Sequence, residues 1–323
     1  MSADSNEKAG LDTNHDVLLP LLRKPRPLRP GSRVRVIAPS SPFDPNRLQE
    51  GLRTLEDLGL VPLVADRIFE VDGYLAGSDS ARSTEVVEAM TACDSDAVIP
   101  VRGGYGAGRL LPILETHVNC IVPMLWMGFS DITALHLFFL STGCLSTLHG
   151  PNVVSMGRLD AVSRQRLEAA LFGRDWEGTF CYNGLRGIIG GHAEGHIVAG
   201  NLAVLTSLLG TRYAPCLDNA ILVLEDINEP AYRIDRMLTQ LTLQPGFDRV
   251  AGVVFGDIQV PTELENLLKG TITRFAERFG RPVATGFPIG HGSRNAPVPE
   301  GVTAVLDADR GVLQVTQDPF DRG

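Results

Sequence analysis

The sequence predicts an α/β protein in which an N-terminal parallel-sheet domain of Rossmann/flavodoxin-like type is followed by a C-terminal mixed α/β domain. Three observations lead there. Short β-rich runs alternate with helix-length segments from residue 33 to about 140, and a glycine-rich passage at 183–191 then breaks the alternation. The chain has 323 residues and 44% hydrophobic content, more than one core usually organises.

The N-terminal elements follow in order: a strand at 34–38, a helix at 46–58, a strand at 61–65, a helix at 81–92, a strand at 97–101, a helix at 107–115, a strand at 122–127 and a helix after Ser130. Strands separated by helix-length segments imply right-handed βαβ units and a parallel sheet, whose ligands gather at the carboxyl ends of strands. Both Arg102-Gly103-Gly104-Tyr105-Gly106 and Gly128-Phe129-Ser130 fall at such ends. Residues 1–31, with the proline-rich run 24–30, read as an irregular lead-in. The predicted domains are 32–182 and 195–323, joined by a linker at 183–194. Beyond the linker come strands at 195–198, 220–224, 250–255, 282–286, 303–306 and 312–315, with helices at 202–208, 232–241 and 264–279.

A net charge of −9, a pI near 5.3 and no basic stripe beyond Arg23-Lys24-Pro25-Arg26 argue against a nucleic-acid partner. The five scattered cysteines contain no C-x-x-C pair, which suits a reducing compartment and opposes a cysteine-built zinc site. Residues 1–20 lack the basic start and apolar core of a secretory signal, and no apolar run approaches the roughly 20 residues that cross a bilayer. The expectation is a cytoplasmic protein with no membrane partner.

Ser130 sits where an apolar strand turns directly into a helix, a junction that exposes a hydroxyl beside the helix's free N–H groups and positive dipole end. The turn resembles a nucleophile elbow but reads G-F-S-D and lacks the second glycine of G-x-S-x-G; the alternative role is a helix N-cap. A serine nucleophile needs a base within hydrogen-bond reach, itself held by a third group. Among the seven histidines, His291 stands apart in Gly290-His291-Gly292, next to the strand at 282–286. His149, His192 and His196 suit structural hydrogen bonds, and His136 follows Ser130 along its helix. Glu225 is the proposed orienting acid, with Asp226 its adjacent rival, since a carboxylate ending a buried apolar strand is costly unless paired. The Arg102–Arg109 glycine loop fits neither dinucleotide nor P-loop spacing; its bare N–H groups suit an oxyanion hole beside Ser130. A dinucleotide-dependent oxidoreductase is accordingly a distant alternative.

Val101-Arg102-Gly103-Gly104-Tyr105-Gly106, Gly128-Phe129-Ser130-Asp131, Gly200-Asn201-Leu202, Leu222-Val223-Leu224-Glu225-Asp226 and Gly290-His291-Gly292 occur in this order and roughly this spacing in the LD-carboxypeptidases. The opening Val36-Ile37-Ala38-Pro39-Ser40-Ser41-Pro42 also resembles that family's start, so the resemblance covers about residues 32 to 316. It implies Ser130 as nucleophile, His291 as general base and Glu225 as its orienting partner. The backbone N–H groups of Asp131 and of Gly104 or Gly103 would form the oxyanion hole. Arg102, Tyr105 and Asn201 are expected to contact substrate, and Arg102, Arg109 and Arg294 are unranked receptors for its free carboxylate.

The implied activity is metal-free and cofactor-free removal of the terminal D-alanine from muropeptide tetrapeptides in cell-wall recycling, by a homodimer acting on a small substrate. A sister branch hydrolyses a peptidyl-nucleotide antibiotic, and a non-catalytic muropeptide binder is the alternative from another class. The sequence departs from the family's pattern at Phe129, where tyrosine or histidine often precedes the serine, and at Ala199, where glycine is frequent. Both departures concern the pocket wall.

Overall fold

The computed structural model describes residues 22–323. The sequence readings that fall on residues 1–21, the start of the irregular lead-in and the expected lack of a secretory signal, lie outside the described residues. Five strands, β1 (Arg33–Ile37), β2 (Val61–Val64), β3 (Ala97–Pro100), β4 (Leu125–Gly128) and β5 (Leu148–His149), form the parallel part of a first sheet. A second, eight-stranded sheet uses β6 (Cys181–Asn183), β7 (Arg186–Ile189), β8 (His192–Asn201), β9 (Ala220–Ile227), β10 (Gly252–Gln259) and β11 (Val283–Thr285). After β12 (Val298–Pro299) come β13 (Thr303–Asp307) and β14 (Val312–Val315), which complete it. Its order is β6-β14-β13-β8-β9-β10-β11-β7, parallel only across β8 to β11. The expected α/β architecture is present, with a parallel N-terminal sheet and a mixed second sheet.

The chain between the sheets differs from the expectation. Residues 183–194, read as a linker, end β6, supply all of β7 and open β8, so they are built into the second sheet. The glycines that suggested a boundary instead serve tight turns between short strands; Gly184 and Gly191 both have positive φ, at 81° and 109°. Near the other end of the chain, β12 returns to the first sheet and pairs antiparallel with β5, Val298 opposite His149. A two-residue strand carries too little periodicity to be legible before tertiary pairing. The predicted helix at 107–115 is divided into a 3₁₀ turn Ala107–Leu110, a helical turn Leu111–Leu114 containing Pro112, and a second 3₁₀ segment Glu115–Cys120.

Burial explains the central elements. Strand β9, Ala-Ile-Leu-Val-Leu-Glu-Asp-Ile, is buried at seven of its eight positions, as a parallel strand covered on both faces should be. The helix Thr133–Ser141 is buried at each of its first seven positions because it lies between the sheets, where Leu137, Phe138 and Phe139 are fully buried. One apolar cluster joins Trp126, Phe138 and Phe139 to Leu202, Leu205 and Leu222, so the core crosses from sheet to sheet. The lead-in is fixed as well: Arg23 donates from Nη1 to the Ile121 carbonyl at 2.8 Å and from Nε to the Cys144 carbonyl at 3.1 Å.

The helix Pro45–Asp57 meets the short helix Val153–Met156 through Gly51, where an added Cβ would collide with the backbone carbonyl of Val153. Alanine in a helix interior normally gains up to about 1 kcal/mol over glycine, whereas overpacking costs about 1–3 kcal/mol. Gly51→Ala should therefore lower unfolding stability by about 1–2 kcal/mol net, measured by urea denaturation, despite its better helix propensity.

Candidate functional site

Ser130 lies two residues beyond Gly128, the last residue of β4, with backbone φ of +66°, one of four positive-φ non-glycine residues among those described. An L-residue in this region stores strain of order 1–3 kcal/mol and persists only when its surroundings over-determine it. Those surroundings are visible. Asn152 grips the preceding residue at both its backbone groups: its Oδ1 accepts from Phe129 N–H and its Nδ2 donates to the Phe129 carbonyl, both at 3.2 Å. The buried Asp131 carboxylate accepts from Ser40 Oγ at 2.7 Å and from Ala107 N–H at 2.8 Å, tying the elbow to the loops after β1 and β3. Burial raises its carboxyl above the ordinary aspartate value. The N-cap of this turn is Phe129, so Ser130 is not the cap that the sequence also allowed.

The loop after β3 runs directly over the serine. A Cβ at Gly103 would lie 2.8 Å from Ser130 Cβ and 3.0 Å from both Ser130 Oγ and the Asp131 nitrogen, so only glycine permits this approach. Arg82, fully buried, packs against this loop, where a Cβ on Gly106 would lie 2.7 Å from its Nη1, and it donates to the Pro39 carbonyl on the loop after β1 and pairs with Asp79.

From the second sheet come Glu225, near the carboxyl end of β9, and His291, in the segment after β11. His291 Nδ1 and Glu225 Oε2 are 2.8 Å apart, with Glu225 entirely buried and His291 18% exposed. Successive strand residues point to opposite faces, so only one of Glu225 and Asp226 can reach the imidazole. Asp226 faces the other way, accepting from Ala203 N–H at 2.9 Å and Ile227 N–H at 2.7 Å. Burial, reinforced by the neighbouring Glu225, raises its carboxyl to about 6.

Ser130 and His291 line one cavity of about 290 Å³, together with Phe43, Arg47, Arg102, Gly104 and Asn152. The Phe129 ring stacks at a tilt against the His291 imidazole, centroids 4.8 Å apart. Larger surface concavities exist, such as one of about 530 Å³ beside β2, but they contain neither the serine nor the imidazole. No hydrogen bond joins Ser130 to His291; the bond on the imidazole is that to Glu225.

Profiles of the LD-carboxypeptidase N-terminal and C-terminal domains match residues 34–150 and 194–306. The chain belongs to the LD-carboxypeptidase family. A probable murein peptide carboxypeptidase of Bacillus subtilis is 36% identical over 88% of this chain and 91% of its own length. A murein tetrapeptide carboxypeptidase of Pseudomonas aeruginosa is 33% identical over 86% and 94%. The crystal structure of a muramoyltetrapeptide carboxypeptidase from Oxalobacter formigenes superposes with a TM-score of 0.74 at 26% identity, over 88% of this chain and 98% of that one. The structure of MccF in complex with glutamyl sulfamoyl guanosine shares the fold, with a TM-score of 0.80 at 20% identity over 92% and 99%.

Within this LD-carboxypeptidase fold the remaining sequence-derived positions separate clearly. Arg102 lines the Ser130 cavity, whereas Arg109 is tied to Asp79 at 2.6 Å and Arg294 lines a different concavity. Tyr105 is half exposed outside that cavity, its ring 5.6 Å from that of Tyr74. Asn201, expected to contact substrate, is instead buried and structural. Its Oδ1 caps the helix Leu202–Leu208 by accepting from Val204 N–H at 3.1 Å, and its own N–H donates to Thr133 Oγ1 at 2.9 Å. Among the other histidines, His136 bonds to Thr147 Oγ1 and the Gly128 carbonyl, both at 2.8 Å, and burial lowers it to about 4. His149 corrects the expectation of a structural hydrogen bond, since neither ring nitrogen has a partner in its fully buried position. Burial and the adjacent His136 and His291 hold it well below the ordinary histidine value.

Asn152, Arg47 and the bracing role of the Asp131 side chain were not foreseen from sequence. The run Leu148-His149-Gly150-Pro151-Asn152 held a faint signal, a Gly-Pro turn directly before an asparagine, but which backbone groups its amide grips depends on β5 lying beside β4.

Replacing Asn152 with alanine removes both bonds on the Phe129 backbone and should lower kcat about 10- to 100-fold while the far-ultraviolet circular dichroism stays native. A second expectation concerns acidity. Asp226 ionises at about 6 in the folded protein and near 3.9 when unfolded, so the folded state holds its proton to higher pH. Stability contributed by this group is lost as pH rises from about 4 to 6 and is flat above. Asp226→Asn should therefore flatten the wild-type decline in unfolding free energy across that window, read by denaturant titrations at successive pH values.

Proposed function

We propose that this chain is a serine LD-carboxypeptidase that releases the terminal D-alanine from muropeptide tetrapeptides during cell-wall recycling. The observation that carries the reading is the 2.8 Å bond from the buried Glu225 to His291 Nδ1, in the same cavity as a strained serine. Accepting from Nδ1–H, Glu225 fixes the tautomer whose Nε2 lone pair is free. Nε2 then takes the Ser130 proton as Oγ attacks the carbonyl before the D-residue, and later delivers it to the departing amine.

The serine–histidine contact must tighten when substrate fills the cavity, as is common for catalytic bonds that are loose without ligand. The developing oxyanion would be met by the N–H groups of Asp131 and Gly104, a role supported by the close passage of the Gly103 loop over Ser130 and the Asp131 nitrogen. The nucleophile would come from the end of β4 in the first sheet and the Glu225–His291 pair from the second. The reading includes a cytoplasmic homodimer that works without a metal, as the sequence resemblance implies. A muropeptide is preferred over a peptidyl nucleotide because the relatives named for murein substrates are 33% and 36% identical, whereas the MccF structure, at 20%, speaks for the fold alone.

Mass spectrometry of an L,D-tetrapeptide beside its all-L counterpart tests stereochemistry and reaction together. D-alanine should be released only from the former. Ser130→Ala should reduce that rate at least about 1,000-fold, and Glu225→Gln about 100- to 10,000-fold, with the fold retained. Full activity of Ser130→Ala would sink the proposal.

A further inference from the structure

We propose that Arg47 and Arg102 together form the receptor for the free carboxylate of the substrate's terminal residue, so that this pair restricts the site to removing one residue from a chain end. The inference rests on the carboxypeptidase reading above and specifies which side chains recognise the substrate's end.

Arg47 lies in the first turn of the helix Pro45–Asp57, and Arg102 follows β3 on the loop that covers Ser130. Both line the cavity that holds Ser130 and His291. Arg102 is anchored at one end, Nη1 donating to the Pro42 carbonyl at 3.0 Å, and its Nη2 lies 3.5 Å from where a Cβ on Gly104 would sit. Its neighbour Gly103 touches Ser130, so the guanidinium stem starts one residue from the nucleophile.

Neither arginine forms an ion pair among the described residues, although Arg35, Arg67, Arg82 and Arg109 all do. The acidic side chain that lines the same cavity, Asp44, spends its Oδ1 on the N–H of Asn46 at 2.8 Å. The charge that acts on Arg102 is that of Arg47: burial first and this like charge second lower its guanidinium below the ordinary arginine value. Arg47 Nε is itself buried without a hydrogen-bond partner.

Two guanidinium groups, neither of them ion-paired among the described residues, line one cavity beside the single carboxylate of Asp44, so the cavity carries a net positive charge that an anion with paired oxygens would complement. A terminal carboxylate supplies that anion one residue beyond the scissile carbonyl. An internal peptide supplies only a neutral amide there and leaves both cations unpaired, which is discrimination by an unmet charge.

Binding is measured on Ser130→Ala protein, using a tetrapeptide ending in D-alanine as its free acid and as its C-terminal amide. The acid should bind about 10- to 100-fold more tightly. Adding Arg47→Met, which keeps the apolar stem, should abolish most of that preference, as should Arg102→Met, while Arg47→Lys retains part of it. Equal affinity for acid and amide, or a preference that survives both methionine variants, overturns the inference. Cleavage by the wild-type protein is scored separately. Turnover without acid preference sinks the receptor alone, and acid preference lost in Arg47→Met without any wild-type turnover sinks the reaction alone.

Discussion

A carboxylate with no solvent exposure stands near the carboxyl end of β9, a strand buried at seven of its eight positions, and its hydrogen bond goes to one imidazole. Burying such a group is unfavourable unless a partner compensates, so the position of Glu225 in β9 and the position of His291 are bound to each other. Oε1 of Glu225 has no partner, which leaves the Oε2 bond to His291 as the compensation the protein supplies. Strand alternation finishes the choice between neighbours. Asp226, one position along, is turned toward the helix Leu202–Leu208 and stabilises that element's first turn instead.

The opposite wall is built on a different principle. Ser130 is held in a conformation that costs energy, and three neighbours share the task of keeping it there: the Asn152 amide on the residue before it, the Asp131 carboxylate after it, and the glycine backbone above it. Each neighbour arrives from a different strand end of the first sheet. This is the usual advantage of a parallel sheet, whose carboxyl ends converge several loops on one spot. The contact between Thr133 Oγ1 and the N–H of Asn201 then joins the serine's helix to the end of β8, so the two walls are set against each other by a direct bond as well as by the shared core.

Much of this was legible in the chain. The alternation of apolar strands and helices in the first 140 residues gave the parallel sheet, because periodicity reports which faces are covered. Ser130 was legible as a strand-to-helix junction and Glu225 as an acid ending an apolar run. His291 stood out by its flanking glycines, and family resemblance supplied the link among the three. The linker at 183–194 was misread because glycine marks turns between paired strands as readily as it marks boundaries. Asn201 was misjudged because capping and ligand binding draw on the same side-chain chemistry, and only the geometry of Val204 N–H separates them.

The sequence by itself determined the class of fold, the strand ends where polar groups gather and the set of residue types able to activate a hydroxyl. Those properties are local, written in spacing and hydrophobic pattern over a few residues at a time. Only the tertiary structure decided which of two adjacent acids meets the imidazole, which of three arginines faces the serine, and that Asn152 grips the residue before it. Such choices depend on register and on the face to which each side chain is turned, and these follow from pairing between segments tens to more than a hundred residues apart.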